Sequence, residues 1–143
     1  MAANNDIIFS KQGDMSKDGT TGMGALITAA AADYTGISVN NALVFTAGAD
    51  GGYVSRLRFK AGGTNVAAVM RIYLNNGSVN TTATNNVFYG EVGLPVTTAS
   101  TTAPTPDIDY PMNFALPSGW RIYAGLGAAV AAGWVVTPIA GKY

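Results

Sequence analysis

Turn-forming residues punctuate this chain at short intervals, and the segments between them alternate apolar and polar side chains. The clearest segment runs from Val66 to Leu74, between Gly62-Gly63 and the Asn-Asn-Gly sequence at 75–77. Because the side chains of an extended strand point alternately to opposite faces, a period of two indicates a half-buried strand. No stretch shows a convincing helical pattern, so the sequence predicts an all-β fold.

Similar segments recur at intervals of roughly 8–15 residues along the chain. They lie at 25–33, 41–46, 53–60, 66–74, 87–94, 110–116, 121–126 and 134–139. The apolar phase slips once between Val54 and Leu57, which predicts a β-bulge near Ser55. The stretch 95–109 is rich in Thr, Ala and Pro and is predicted to be an extended connection. About eight short strands are typical of a β-sandwich or jelly roll.

The first 22 residues differ in pattern from the rest. Residues 1–22 are mostly polar and contain a single apolar cluster, Ile7-Ile8-Phe9. We expect them to form an extended N-terminal arm, whereas residues 23–143 form the β-sandwich domain. A chain of 143 residues is long enough for one domain with its own core.

Side chains that catalyse reactions or bind transition metals are scarce. The chain contains no histidine and no cysteine, and Glu91 is its only glutamate. Histidine is the usual general base near neutral pH, and cysteine is a strong nucleophile and a principal zinc ligand. The sequence therefore predicts a non-enzymatic protein without a metal or other cofactor.

The charge content points to contacts with other proteins. Eight basic and eight acidic residues give a formal net charge of zero, and no basic run predicts binding to nucleic acid. Only 11% of residues are charged, against about 25% in an ordinary soluble domain. Surfaces poor in Lys and Glu resemble buried contact patches, and a neutral globule tends to self-associate. The alternative is a secreted protein that tolerates a neutral surface.

The sequence shows no pattern typical of a signal peptide or a membrane-spanning segment. The N-terminus lacks a basic region, and residues 7–9 are too few for the apolar core of a signal peptide. The longest apolar-looking stretch, 23–32, is about half the length of a membrane span. We therefore expect synthesis in the cytoplasm and no membrane partner.

Three basic residues, Arg56, Arg58 and Lys60, share one face of a single predicted strand. Like charges at this spacing repel unless they are matched. They indicate either a solvated edge strand that discourages aggregation or a docking stripe for an acidic surface. The sequence leaves both interpretations open.

Asp107 and Asp109 form the closest pair of carboxylates and would share one side of an extended chain. The flanking sequence lacks the oxygen-rich spacing of a calcium loop, so we expect solvated or arginine-paired carboxylates. Arg71 and Arg121 are the predicted partners, for these aspartates or for Glu91, across strands or across a subunit boundary. The four residues other than Glu91 are candidate interface ion pairs.

Aromatic residues offer an alternative binding function. A carbohydrate-stacking platform would draw on Trp120, Trp134, Tyr73, Tyr89, Tyr110 and Tyr123. Aromatic side chains of β-sandwiches more often belong to the core or to an interface.

Four segments of the chain from residue 64 onward stand out, and they are TNVA (64–67), RIYLNNG (71–77), FALPSGWRIY (114–123) and AAGWVVT (131–137). In these segments the chain resembles small virion proteins of tailed bacteriophages. The resemblance implies a head decoration (cement) protein that binds the major capsid protein on the outer capsid surface. It also implies a jelly roll or β-sandwich that forms a small symmetric homo-oligomer, with a trimer favoured.

The resemblance and the residue analysis together predict a virion structural protein. Such a protein stabilises the head by binding across capsid subunits, because binding only the assembled state favours assembly. Ile7, Ile8 and Phe9 are the candidates for anchoring the arm to a neighbour or to the shell. The alternatives are a tail, fibre or baseplate component and a carbohydrate-binding β-sandwich module.

Overall fold

The computed structural model describes residues 16–17, 22–31 and 33–143. In these ranges the chain forms eight β-strands and one turn of 3-10 helix at Ala83–Asn85. The strands are β1 (Ala25–Ile27), β2 (Ala42–Thr46), β3 (Gly52–Ala61), β4 (Ala68–Asn75), β5 (Asn86–Leu94), β6 (Asp107–Leu116), β7 (Arg121–Leu126) and β8 (Trp134–Lys142). The predicted anchors Ile7, Ile8 and Phe9, with most of the predicted arm, lie outside the described residues.

The eight strands form two antiparallel sheets that pack face to face. Sheet I has the order β1-β8-β3-β6, and sheet II has the order β2-β7-β4-β5. The first strand pairs with the eighth, the second with the seventh, the third with the sixth and the fourth with the fifth. A long hairpin rolled into two layers has this connectivity, which is that of a jelly roll. The predicted all-β sandwich is therefore confirmed, without closure into a barrel.

The core lies between the inward faces of the two sheets. Sheet II contributes Met70 and Ile72 of β4, and sheet I contributes Leu57 and Phe59 of β3, all fully buried. Trp134, at the start of β8, is the largest fully buried side chain. The period-two alternation of β4 thus places Met70 and Ile72 together on the face that meets the core.

The β-bulge predicted near Ser55 is confirmed. The pairing of β3 with β6 and with β8 shifts between Val54 and Arg56. This shift allows both Val54 and Leu57 to enter the core although they are three positions apart.

The boundaries of β1, β6 and β8 differ from the prediction by three residues or more, and β8 does so by continuing to Lys142. β6 begins at Asp107, directly after Pro106, so the connection predicted at 95–109 ends earlier. This strand also tolerates Pro111, because it is an edge strand with one side free of partners. β1 stops at Ile27 because the chain then crosses to sheet II, where Ala30 pairs with Leu126.

The described residues between β1 and β2, 28–31 and 33–41, run across the outer face of sheet II. The Ala31 N–H donates to the Leu126 carbonyl at 2.6 Å. The Tyr73 hydroxyl, on the outward side of β4, donates to the Asp33 carbonyl at 2.7 Å. This cover explains why Tyr73 is fully buried although the alternation of β4 turns it away from the core.

No helix within the described ranges has the length and apolar character needed to cross a bilayer.

Candidate protein-contact surfaces

A ladder of opposite charges crosses the outer face of sheet I. Lys60 lies 2.9 Å from Asp107, and Arg58 lies 3.7 Å from Asp107 and 3.2 Å from Asp109. Arg56 approaches Asp109 at 3.7 Å. A hydrogen bond from Lys60 holds the pKa of Asp107 below its ordinary value, against a small opposing effect of desolvation. The three cations are therefore largely neutralised within the chain and do not form an unmatched basic stripe.

The predicted pairing of Asp107 and Asp109 with Arg71 and Arg121 is wrong within the chain. Both aspartates lie on β6 of sheet I, whereas the two arginines extend from the outer face of sheet II. The sandwich therefore separates them. The Arg121 guanidinium instead donates to the Ser78 carbonyl at 3.3 Å. A role of these residues across a subunit boundary stays a prediction.

Arg71 is held in place by contacts on several sides. Its Nε lies 3.7 Å from a carboxylate oxygen of Glu91, which is the alternative pairing that the sequence predicted. Its Nη1 donates to the carbonyls of Ala31 and Asp33 at 3.3 and 3.4 Å. The guanidinium carbon lies 4.1 Å from the centre of the Tyr34 ring. A fixed arginine stacked on an aromatic ring needs little reordering to take part in an interface.

Tyr34 stacks on this arginine, Phe88 contacts Tyr34, and Ile37 follows the same turn; we call these three exposed side chains, together with Arg71, the Tyr34 patch. Tyr34, Ile37 and Phe88 remain 57%, 40% and 38% exposed. The Tyr34 and Phe88 rings meet edge to face with centroids 5.3 Å apart, and Phe88 lies 5.7 Å from the buried Tyr73 ring. Tyrosine, phenylalanine and arginine are enriched at protein interfaces, so this patch is the strongest candidate contact surface.

A compact turn presents Tyr34 and Ile37. One carboxylate oxygen of Asp33 accepts hydrogen bonds from the Thr35 N–H, the Thr35 hydroxyl and the Gly36 N–H, each at 2.8 Å. Burial alone would raise the pKa of Asp33, but these hydrogen bonds outweigh it and hold the pKa below its ordinary value. Gly36 has a φ of 78° and lies against the Tyr73 ring, where a Cβ would come within 3.0 Å of a ring carbon. The turn is therefore rigid before any partner binds.

The sequence prediction did not single out this patch. The sequence Asp33-Tyr34-Thr35-Gly36 is a recognisable turn signal, but nothing local shows that the turn lies over β4. Strict alternation along the predicted strand 87–94 would place Phe88 on the same face as Gly90 and Val92. The register of β5 against β4 shifts around Tyr89, so Phe88 pairs with Tyr73 on the outer face while Gly90 pairs with Ile72 on the inner face.

The aromatic residues proposed for a carbohydrate platform do not lie together. Trp134 and Tyr73 are fully buried on different sheets. Tyr89 of β5 contacts Tyr110 and Phe114 of β6, with ring centroids 6.3 and 5.3 Å apart, and so bridges the adjacent edges of the two sheets. The six residues therefore form no single exposed platform.

One end of the sandwich is tied together by Asn65, which is only 3% exposed. Its side-chain oxygen accepts hydrogen bonds from the N–H groups of Ala132 and Gly133 at 2.9 Å, and its side-chain NH₂ group donates to the Gly133 carbonyl at 3.0 Å. Its backbone exchanges two hydrogen bonds with Thr97 at 3.0 and 3.1 Å. Asn65 thus links the β3–β4 connection to the β7–β8 connection through its side chain and to the β5–β6 connection through its backbone.

We call these three connections, 62–67, 95–106 and 127–133, the loop end. They contain no charged residue, and they expose Val66 and Val96 at 61% and 68%. The sequence shows the lack of charge in each connection, but the topology is needed to bring the three together. The loop end is a second, uncharged surface, and its exposed apolar side chains are smaller than those of the Tyr34 patch.

The described part of the chain holds no cluster of three or more acidic residues that would bind a metal ion. The chain matches no protein-family model, no curated protein and no solved structure.

Proposed function

We propose that this protein is a non-enzymatic structural protein of a bacteriophage virion that decorates the outside of the head. It binds the major capsid protein across subunit joints and thereby stabilises the shell. The Tyr34 patch carries the proposal, because it combines exposed aromatic and aliphatic side chains with a fixed arginine. The jelly-roll connectivity, the low charge content and the resemblance in phrases such as RIYLNNG at 71–77 support it.

The physical properties of the patch suit a protein partner. The Asp33 turn and the contacts of Arg71 fix the patch in advance, so binding orders few side chains. Each further Tyr or Ile side chain taken out of water contributes on the order of 1–2 kcal/mol. A few such contacts give weak binding at one site, and repetition over a symmetric shell supplies avidity.

The proposal is tested by charge insertion within the patch. Ile37→Lys places an ammonium group among apolar contacts, whereas Val79→Lys makes the same type of change at a 64% exposed position in the β4–β5 connection. We expect Ile37→Lys to weaken binding to purified shells of the major capsid protein by roughly 100-fold, as judged by co-sedimentation. Val79→Lys should bind like the unmodified chain. Equal binding by both variants contradicts a capsid contact through the Tyr34 patch.

A carbohydrate-binding module is the second candidate function, because the exposed Tyr34 and Phe88 rings offer apolar surface to a sugar. Arg71 already covers part of Tyr34, which favours a protein partner. Glycan-array binding by the isolated chain, lost in Tyr34→Ala, would support the carbohydrate module. A tail, fibre or baseplate subunit would share the same surfaces, and its location in the particle separates it from a head protein.

A further inference from the structure

The exposed edge of β5 is unlike the other sheet edges in the described part of the chain. β1 has three residues, and β2 is half-buried or buried along its length. β6 contains Pro111 and a left-handed residue, Asn113 with a φ of 53°, both of which disfavour strand addition. β5 has nine residues and contains neither proline nor a basic residue.

The β5 edge exposes apolar side chains. Val87, Phe88 and Tyr89 follow one another and are 58%, 38% and 39% exposed. A shift of register at Tyr89 is the only irregularity of the strand. The edge of a long, apolar strand that carries few charged side chains is able to pair with a strand of another chain.

We propose that β5 pairs antiparallel with β5 of a second copy of this chain across a two-fold axis. The two copies of sheet II then form one continuous eight-stranded sheet. Such a contact is isologous and closes at two copies, in contrast to the trimer that the resemblance favours. It rests on the β5 edge and is independent of the proposed capsid function.

The charge pattern favours an identical strand as the partner. Glu91 is the only charged residue of β5 and is already paired with Arg71 in its own chain, so the edge requires no foreign cation. A two-fold axis at Glu91 would place two glutamates opposite each other, which is unfavourable. An axis at Gly90 avoids this clash and uses almost the whole length of the strand.

The faces of the strand also match in this register. With Tyr89 bulged in each copy, Val87 lies opposite Val92 of the second copy, and both belong to the inner face. Phe88 lies opposite Glu91 of the second copy on the outer face, beside its Arg71. Because the axis is normal to the sheet, both Tyr34 patches lie on the same side of the dimer. The dimer therefore presents two patches to one surface.

The first test is the absolute mass of the purified chain without any capsid, by light scattering from about 1 μM to 1 mM. We expect about 29 kDa, twice the 14.6 kDa of one chain. Val87→Lys should raise the dimer dissociation constant at least tenfold, because each lysine would lie opposite the apolar Val92 of the other copy on the inner face. Val79→Lys should leave the dimer intact. Thermal melting shows whether each variant is folded.

The second test uses the absence of cysteine from the chain. A mixture of Val87→Cys and Val92→Cys chains should form a mixed disulfide under mild oxidation, because directly opposite residues have the required separation. A mixture of Val79→Cys and Val92→Cys chains is the control and should cross-link several-fold less. A small side chain at these positions leaves the fold intact even if a lysine does not.

Three results overturn the proposal. They are a monomer throughout the concentration range, a species of about 44 kDa that Val87→Lys does not change, and equal cross-linking in both cysteine mixtures. A monomer whose capsid binding is lost in Val87→Lys would show that a capsid strand occupies the edge instead. The mass and cross-linking measurements contain no capsid, so their results are independent of whether the proposed function is correct.

Discussion

Replacing Asn65 by alanine should loosen the loop end and lower the stability of the whole domain. The side chain makes three hydrogen bonds of 2.9–3.0 Å to Ala132 and Gly133, in a site where it is only 3% exposed. Each bond contributes about 1 kcal/mol net, and donors left unpaired in a buried site add to the loss. Water entering the vacated space offsets part of that addition. We therefore expect Asn65→Ala to lower the free energy of unfolding by about 3 kcal/mol.

This loss corresponds to a measurable shift in melting temperature. An unfolding entropy of about 2.1 cal/mol/K per residue gives about 0.3 kcal/mol/K for 143 residues. The expected decrease in Tm is therefore about 10 °C by differential scanning calorimetry. Asn40→Ala is the matched control, because Asn40 is exposed and its side-chain amide donates one hydrogen bond to the Ala30 carbonyl. A Tm for Asn65→Ala within about 3 °C of the unmodified chain would refute the account of Asn65 as the link between the connections.

Two further predictions concern stability. Gly133 has a φ of 81°, and a Cβ there would lie 2.9 Å from the Ile27 carbonyl oxygen. Gly133→Ala should therefore lower the free energy of unfolding, measured in urea, by about 2 kcal/mol. Gly93→Ala is the control and should change it by less than about 0.5 kcal/mol, because no atom lies within 4 Å of the added Cβ. Equal losses of stability in the two variants would contradict the explanation based on the φ angle and close contacts of Gly133. The depressed pKa of Asp33 means that its contribution is present above the unfolded pKa of about 3.9 and is lost as the pH falls through the lower folded pKa. Asp33→Asn should therefore flatten the loss of stability as the pH falls below about 4, and an unchanged slope in acid-unfolding curves would argue against the Asp33 turn.

The strands were predictable wherever local alternation decides which side chains are buried. The boundaries of β7 agree with the predicted segment 121–126, and the bulge at Ser55 followed from one slip of phase. The alternation was misleading at Tyr73, which faces away from the core and is nevertheless buried. Its burial depends on the β1–β2 connection lying over sheet II, and no periodicity within β4 contains that information.

The candidate surfaces were less predictable than the fold, because they depend on which strands become neighbours. Arg58 and Asp109 are separated by 51 positions and meet only because β3 pairs with β6. The sequence provided both charges, but it offered Arg71 and Arg121 as partners for the aspartates or for Glu91, and only the pairing of Arg71 with Glu91 is found. Tyr34 and Phe88 likewise meet through the crossing of one connection over an edge strand. Pairings of this kind follow from the topology of the roll.

The location of the chain in purified virions tests the central claim most directly. Purified particles of the virus proposed to encode this chain would be labelled with gold-conjugated antibody against it and imaged by electron microscopy. The proposed function predicts label distributed over the outer surface of the head, in a fixed ratio to the major capsid protein. Label confined to the tail or baseplate, or its absence from intact particles, would contradict a head decoration protein.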